Sequence, residues 1–600
     1  MKKVWLFFLA GAALAANAAE TREKYDELIA NPRHLSDAER LKTLFALDWE
    51  RGLRESPEFA TAIGFPGEDD RWTDASEAAI EQRKKEAQWP LDVIKSIDRA
   101  KLAKPDQLYY DLFRLDAEMG LEGQQFPGEL LAISQLGGVH QDVSQVLEQN
   151  RHTNVKEYEN ILGRLRGAPR LIEQNIALLQ RGVAAGVTPP RIVLRDVPQQ
   201  VLNVIPDDPM QSSLLRAFAD FPPEISAAEQ ARLRDAAIEI YKNQVVPAYQ
   251  KLHAFLRDEY IPKTRETVGF SALPNGEKWY AFAARQSTTT TMTPREMHDL
   301  GLREVQRIRG EMDKVIAGTK FAGSFDDFTK FLRTDPQFFY TNPDDLLAGF
   351  RDIAKRIDPE LPRLFGKLPR LTYGVKAVPA YAEKSQPAAY YQGGSERAGR
   401  PGWYFANTYN LPSRPKWQME ALTLHESVPG HHLQISLAQE MENVPEFRKY
   451  GGYTAYVEGW GLYAESLGGE LGLYKNPYAK FGALTFEMWR ACRLVVDTGL
   501  HAFGWSREKA LAFMVENTGK DAHEATVEID RYLAMPAQAL AYKIGQLKLR
   551  ELRSHATREL GERFDVRAFH DAVLAHGALP LDVLEAQMKQ WEQEQKTKSN

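Results

Sequence analysis

Positions 425 to 432 read His-Glu-Ser-Val-Pro-Gly-His-His, which places three imidazoles and one carboxylate within eight residues. In the zinc-hydrolase pattern H-E-x-x-H, two His four residues apart share a helical face and bind Zn²⁺, and the intervening Glu acts as general base. Here the fourth position after His425 is Pro429, and the second ligand has to be His431 or His432. On a regular helix, at about 100° per residue, His432 returns to the face of His425 and His431 points roughly 120° away. Pro429 has no N–H to give back, and Gly430 tolerates an irregular backbone, so a bulge is expected. If it absorbs two residues, His431 takes the place of the second His. His431 is therefore preferred and His432 is the alternative. The metal implied is Zn²⁺, one per chain, although Co²⁺ or Mn²⁺ accept the same donors.

A catalytic zinc needs a third protein ligand and one open position. The segment Tyr456-Val-Glu-Gly-Trp-Gly-Leu-Tyr-Ala-Glu465 reads as a return helix on which Glu458 and Glu465 share a face. Gly459 and Gly461 leave room for close approach. Glu458 is the expected third ligand, and Glu465 is expected to hold a ligand imidazole in its binding tautomer. Glu426 is the expected base.

Further downstream, Arg531, Tyr532, Gln538 and Tyr542 surround Pro536. If Pro536 only kinks a helix, Arg531, Gln538 and Tyr542 lie close to one face. Arg531 reads equally as a clamp for a substrate carboxylate and as a salt bridge within a helical bundle. His501, two residues after Gly499, is a weaker candidate because a helix is expected to end at that glycine.

These residues, together with Pro429-Gly430-His431-His432-Leu433-Gln434, Glu458-Gly459-Trp460, Arg531-Tyr532 and Tyr542-Lys543-x-Gly545, resemble the exported bacterial family catalogued as domain of unknown function 885. That family is in turn similar to the mostly helical zinc peptidases of the thimet oligopeptidase and carboxypeptidase Taq type. The resemblance implies a large, mainly α, zincin-like fold with a deep cleft between two halves. It implies short peptides as substrates, because a deep cleft excludes folded proteins. It also implies Tyr542 as the donor to the developing oxyanion, with Tyr532 as runner-up. A metal-dependent hydrolase of another amide or ester has the same motif chemistry, and a silent metal- or peptide-binding protein is the alternative of a different class. The intact Glu426 argues against the silent reading.

The elements that must position this site are mostly helical. Ser36-Asp-Ala-Glu39 and Thr293-Pro-Arg-Glu296 are capping boxes. Helices are expected over 77–100, 105–121, 141–149 and 155–184, and from Ser226 towards Tyr260. Residues 280–291 are expected to be extended, and the helices restart at Thr293. That restart sets the expected division into a helical half over 19–292 and a catalytic half over 293–600. Segments 371–375, 388–391 and 403–407 are strand-like and aromatic. They form one small sheet before the metal helix, with Tyr404 a candidate for contacting substrate. An exposed edge of this sheet could pair with a peptide backbone.

Residues 1–18 read as an export signal: Lys2 and Lys3, an apolar run, and Ala16-Asn-Ala18 for cleavage. The expected location is periplasmic or secreted, without stable membrane association after cleavage. No cysteine near the cleavage point offers a lipid anchor. The formal net charge of −6 gives nucleic-acid binding no support. The single cysteine, Cys492, cannot form an intrachain disulfide and reads as a small core residue.

Overall fold

The computed structural model describes residues 19–380, 382–384 and 386–597. The leader read in residues 1–18 lies outside them. The described chain is mainly helical, with one three-stranded sheet and a short hairpin pairing Ile133–Ser134 with Gly137–Gly138. None of its described helices is long and apolar enough to cross a membrane.

Helices begin where side chains can satisfy the first free N–H groups. Ser36 with Glu39 and Thr293 with Glu296 both close reciprocal capping boxes. Helix α1 (Val155–Ala185) ends at Gly186 in the left-handed region. The chain is also helical from Ala227 to Tyr260. The helix expected over 77–100 divides into Glu77–Glu86 and Gln88–Lys95. Pro90 lacks the N–H that would tie it to the preceding turn, so it sits in the first turn of the second piece.

Residues 280–291 are not extended. They belong largely to helix α2 (Gly276–Thr288), in which Gly276, Tyr280, Ala284 and Thr288 form a buried stripe at four-residue spacing. The run of hydroxyl residues from Ser287 is the helix end, where Thr288 Oγ1 donates to the Ala284 carbonyl and Thr289 turns to φ 51°.

Helix α3 (Pro294–Thr319) follows, and then the sheet: β1 (Tyr373–Ala377), β2 (Ala389–Gln392) and β3 (Gly402–Ala406). Its order is β1-β3-β2, with β3 parallel to β1 and antiparallel to β2. β2 is therefore an edge. The Asn407 N–H donates to the Ala388 carbonyl, and the antiparallel alternation then turns the N–H and C=O of Ala389 and Tyr391 to the free side.

After the sheet come α4 (Met419–Glu426), α5 (His431–Gln439), α6 (Thr454–Ser466) and α7 (Pro477–Ala502). The last two labelled helices are α8 (Ala522–Ala534) and α9 (Ala541–Leu560). One apolar core runs from Leu112 to Met588, so residues on both sides of position 292 share it. Cys492 is buried within it, and burial pushes its thiol pKa up.

Helix α6 meets α9 at a glycine-to-glycine crossing. A Cβ on Gly545 would run into the Ala455 carbonyl and Gly459 Cα, and one on Gly459 would meet the Gly545 backbone. Gly545→Ala is therefore expected to cost about 1–3 kcal/mol, because neither backbone can yield without moving a helix. Gly52, which lies in a helix with open space around its Cα, is the control: Gly52→Ala should gain up to about 1 kcal/mol from helix propensity. Urea midpoints of the two variants check this, and equal shifts would contradict it.

Candidate metal centre

The His-Glu helix does not bulge. It stops. α4 ends at Glu426, Ser427 to Gly430 form a non-helical link with a cis Val428–Pro429 peptide, and α5 starts afresh at His431. A Cβ at Gly430 would collide with the carbonyls of Leu424 and His425, so only glycine allows the chain to fold back this tightly. Trp460 Nε1 donates to the Pro429 carbonyl at 2.8 Å and ties the link to α6.

The fold-back brings His425 and His431 together, with ring centroids 4.6 Å apart and planes at 85°. Glu458 on α6 faces both: its Oε2 lies 3.6 Å from His425 Nε2 and 3.4 Å from His431 Nε2. Ligand atoms of His425, His431 and Glu458 all fall within 4.8 Å of one another. Gly461, one helical turn on, lies against the His425 ring, and any side chain there would displace it.

Glu465, two turns after Glu458, sits 2.8 Å from His425 Nδ1. A carboxylate can only accept, so Nδ1 carries a proton towards Glu465, and Nε2 is the nitrogen turned towards Glu458 that ligates once it gives up its own proton. Glu458 is oriented in the same way. Gln538 Nε2 donates to its Oε1 at 3.2 Å, while its Oε2 is buried and receives no hydrogen bond. A buried carboxylate oxygen without a donor, facing two imidazole nitrogens, is a donor set that suits a divalent cation such as Zn²⁺. Burial pushes the Glu458 carboxyl up, but the two facing imidazoles hold it well below the usual carboxylate range. Burial likewise pulls His425 down, and the Glu458 and Glu465 carboxylates reverse this and lift it to about 9. The site therefore holds positive charge strongly.

His432, the alternative ligand, points the other way. Its Nε2 donates to the Leu371 carbonyl at 3.0 Å, which leaves Nδ1 to accept from the Tyr391 hydroxyl at 2.9 Å. The ring packs on Tyr373, and burial drives its pKa down to about 4. It joins α5 to the sheet and does not touch the cluster.

A cavity of about 190 Å³ opens onto the three converging residues. Glu426, Tyr542 and Arg531 line it, as do Tyr390 and Tyr391 of the edge strand. Arg531 and Tyr542 lie on separate helices, since α8 stops before Pro536 and Ala537 takes φ 69°. They meet nevertheless: Arg531 Nη2 donates to Gln538 Oε1 at 2.9 Å and to the Tyr542 hydroxyl at 3.3 Å. Gln538 Nε2 also donates to that hydroxyl, at 3.2 Å. With two donors on its oxygen, Tyr542 keeps its own proton free for the cavity.

Three other candidates are placed elsewhere. The Tyr532 hydroxyl accepts from Trp489 Nε1 and Arg493 Nε, both at 3.0 Å, beneath the cavity wall. Tyr404 is fully buried on the middle strand, edge-on to Phe350, and does not reach the cavity. Its strand is the middle one, and Tyr391, its partner on the edge strand, stands between it and the cavity side. His501 accepts from the Phe270 N–H and donates to the Tyr532 carbonyl inside the core. α7 continues past Gly499, whose missing side chain admits the Trp505 ring.

Residues that the motifs did not flag complete the wall: Phe486, Trp489, Arg490, Arg493 and Glu528. Arg490 and Arg493 fall three residues apart on α7 within an apolar run, and that charge pair is the one signal they carried.

The family model described as "Bacterial protein of unknown function (DUF885)" matches residues 57–588. Among solved structures, a protein described as a candidate lipoprotein from Colwellia psychrerythraea superposes with a TM-score of 0.88 at 26% identity, covering 93% of this chain and 100% of its own. A candidate lipoprotein of unknown function from Shewanella oneidensis gives a TM-score of 0.67 at 17% identity, covering 92% of this chain and 99% of its own. No curated protein matches the chain.

Proposed function

The chain belongs to the DUF885 family of bacterial proteins, and from its His₂Glu cluster we propose that this member is a zinc-dependent hydrolase of short peptides. The observation that carries the reading is the convergence of His425, His431 and Glu458, with no donor to Glu458 Oε2 among the described residues, on a cavity that also holds Glu426 and Tyr542. These three residues would hold the ion. When bound, such an ion lowers the pKa of water to about 7 and polarises a carbonyl.

The chain's own residues supply the rest. Glu426, adjacent to the first ligand and facing the cavity, takes a proton from water and passes it to the leaving amine. Glu465 fixes the His425 tautomer, and Gln538 fixes the Glu458 carboxylate. Tyr542 donates its free proton to the oxyanion as the carbonyl becomes tetrahedral. β2 borders the same cavity, and the backbone groups of Ala389 and Tyr391 turn away from β3 towards its open edge. A substrate main chain can pair there in extended form, which favours peptides and asks little of their side chains. A zincin-like scaffold with its site in a cleft accords with this arrangement. Export through the leader in residues 1–18, to the periplasm or beyond, is supported by neighbours described as candidate lipoproteins.

Turnover of defined short peptides by the purified protein, assayed with stoichiometric zinc and without it, tests the proposal. Tyr542→Phe should then lower kcat about 100- to 1,000-fold with little change in KM, because the lost bond forms only as the oxyanion develops. A rise in KM alone would make Tyr542 a binding residue instead.

A further inference from the structure

Gln538 orients Glu458 from a link whose own sequence does not favour its shape. Between α8 and α9, Ala537 takes φ 69°, a left-handed conformation that a residue with a Cβ adopts only at a cost. Pro536, just before it, has no N–H to give to the end of α8. The link is fastened from α7 instead. Asp497 accepts from the Ala537 N–H with both carboxylate oxygens, at 3.1 and 3.2 Å. One helical turn on, His501 Nε2 donates to the Tyr532 carbonyl at 3.0 Å while Nδ1 accepts from the Phe270 N–H. Burial takes the His501 pKa down to about 3, so the ring is neutral and keeps this tautomer. The two side chains hold the backbone on both sides of Met535 and Pro536. From Ala537 the chain passes straight to Gln538, which donates to Glu458 and to the Tyr542 hydroxyl and accepts from Arg531.

Asp497 is fully buried and does not line the metal cavity. It is braced from α2, where the Tyr280 hydroxyl donates to its Oδ1 at 2.5 Å. Besides Tyr280, the charged groups that act on it are Arg493 from its own helix and Arg531 from α8. Burial outweighs them and pushes its carboxyl up to about 7. Asp497 therefore changes charge near neutral pH. A hydrogen bond to an ionised acceptor is about twice as strong as a neutral one, so protonation weakens its hold on Ala537.

Resting on the metal-site part of the reading above, we infer that Asp497, with His501 beside it, is a positioning residue for the metal centre: it holds the link so that Gln538 keeps Glu458 turned towards the two imidazoles. The ionised carboxylate sets the link, and the protonated one loosens it. The centre thereby gains affinity for its ion above neutral pH through a group that touches neither the ion nor its ligands.

The test is the zinc affinity of the full chain, read by competition with a chelating dye across pH. Asp497→Asn keeps the shape of the side chain and one acceptor for the Ala537 N–H, but not the charge. At about pH 8 it should bind zinc about 10-fold more weakly than the wild type. The ratio of the two affinities should shrink towards one below about pH 6, where Asp497 is itself protonated, although both affinities fall there as the ligands take up protons. In a Gln538→Ala background the same substitution should cost less than about 2-fold, because its effect passes through Gln538. Ala537→Gly takes the left-handed turn without help and should recover most of the loss in Asp497→Asn. A loss that comes from misfolding is not rescued by that glycine and is the same at every pH. Losses that multiply across Asp497 and Gln538, or a ratio indifferent to pH, would overturn the inference and leave the metal centre standing. A wild-type chain that binds no zinc would remove the peptidase reading and this inference together, whereas the expected pH profile in a chain that cleaves no peptide would remove the peptidase reading alone.

Discussion

Glu426→Gln is expected to lower peptide turnover about 100- to 10,000-fold while leaving bound zinc unchanged, which is the range a positioned general base contributes. The substitution keeps the side chain's size and removes only its capacity to take a proton. Glu426 is the last residue of α4, next to His425 in sequence, and it lines the cavity. It is not among the residues whose donor atoms converge, so the ion should not depend on it. Metal analysis beside single-turnover rates separates the two roles. Loss of zinc would make Glu426 a ligand, and undiminished turnover would require another base.

The second large effect concerns the ligand set. His431→Ala and Glu458→Gln should each reduce zinc to trace level and abolish activity, because each removes one of the three protein donors that converge among the described residues. His432→Ala should retain full zinc, although it stands beside His431 and removes an imidazole as well. Its ring is occupied by Leu371 and Tyr391 on the sheet. Glu465→Gln lies between these extremes, with zinc affinity about 10- to 100-fold weaker, since it orients His425 without touching the ion. The ranking is read by competition with a chelating dye. If His432→Ala lost zinc while His431→Ala kept it, the assignment would be reversed.

Much of this site was legible because its chemistry is local. His425, Glu426, Pro429 and Gly430 stand together in sequence, and a proline followed by glycine signals that a helix cannot run through. The outcome differs in kind from a bulge, since the chain ends one helix and starts another. Sequence spacing could not weigh that alternative because the collision of a Cβ at 430 with the carbonyls of 424 and 425 exists only in the folded link. Glu458 and Glu465 were readable from their seven-residue spacing beside two glycines. The glycines meet partners far away in sequence, Gly459 at Gly545 and Gly461 at the His425 ring.

Where positions depend on long-range packing, the sequence was less informative. Tyr404 carries the aromatic character of a substrate contact, yet the parallel pairing of β1 with β3 makes its strand central and turns it inward. Tyr280 and its neighbours have strand-like composition and sit in a helix, because a buried stripe at four-residue spacing outweighs local preference. Arg490 and Arg493 gave little warning, since charged residues inside an apolar helix look the same whether they brace the core or line a cavity. Only the unpaired N–H groups distinguish the two, and those are visible only once every neighbour is in place.

Mass spectrometry of a mixed short-peptide library, incubated with the protein as purified, after chelation, and after zinc is restored, tests the zinc-peptidase reading of the site. Cleavage should stop on chelation and return when zinc is restored. A protein carrying one zinc per chain that leaves every peptide intact would contradict it and point to another amide or ester, or to a binding function.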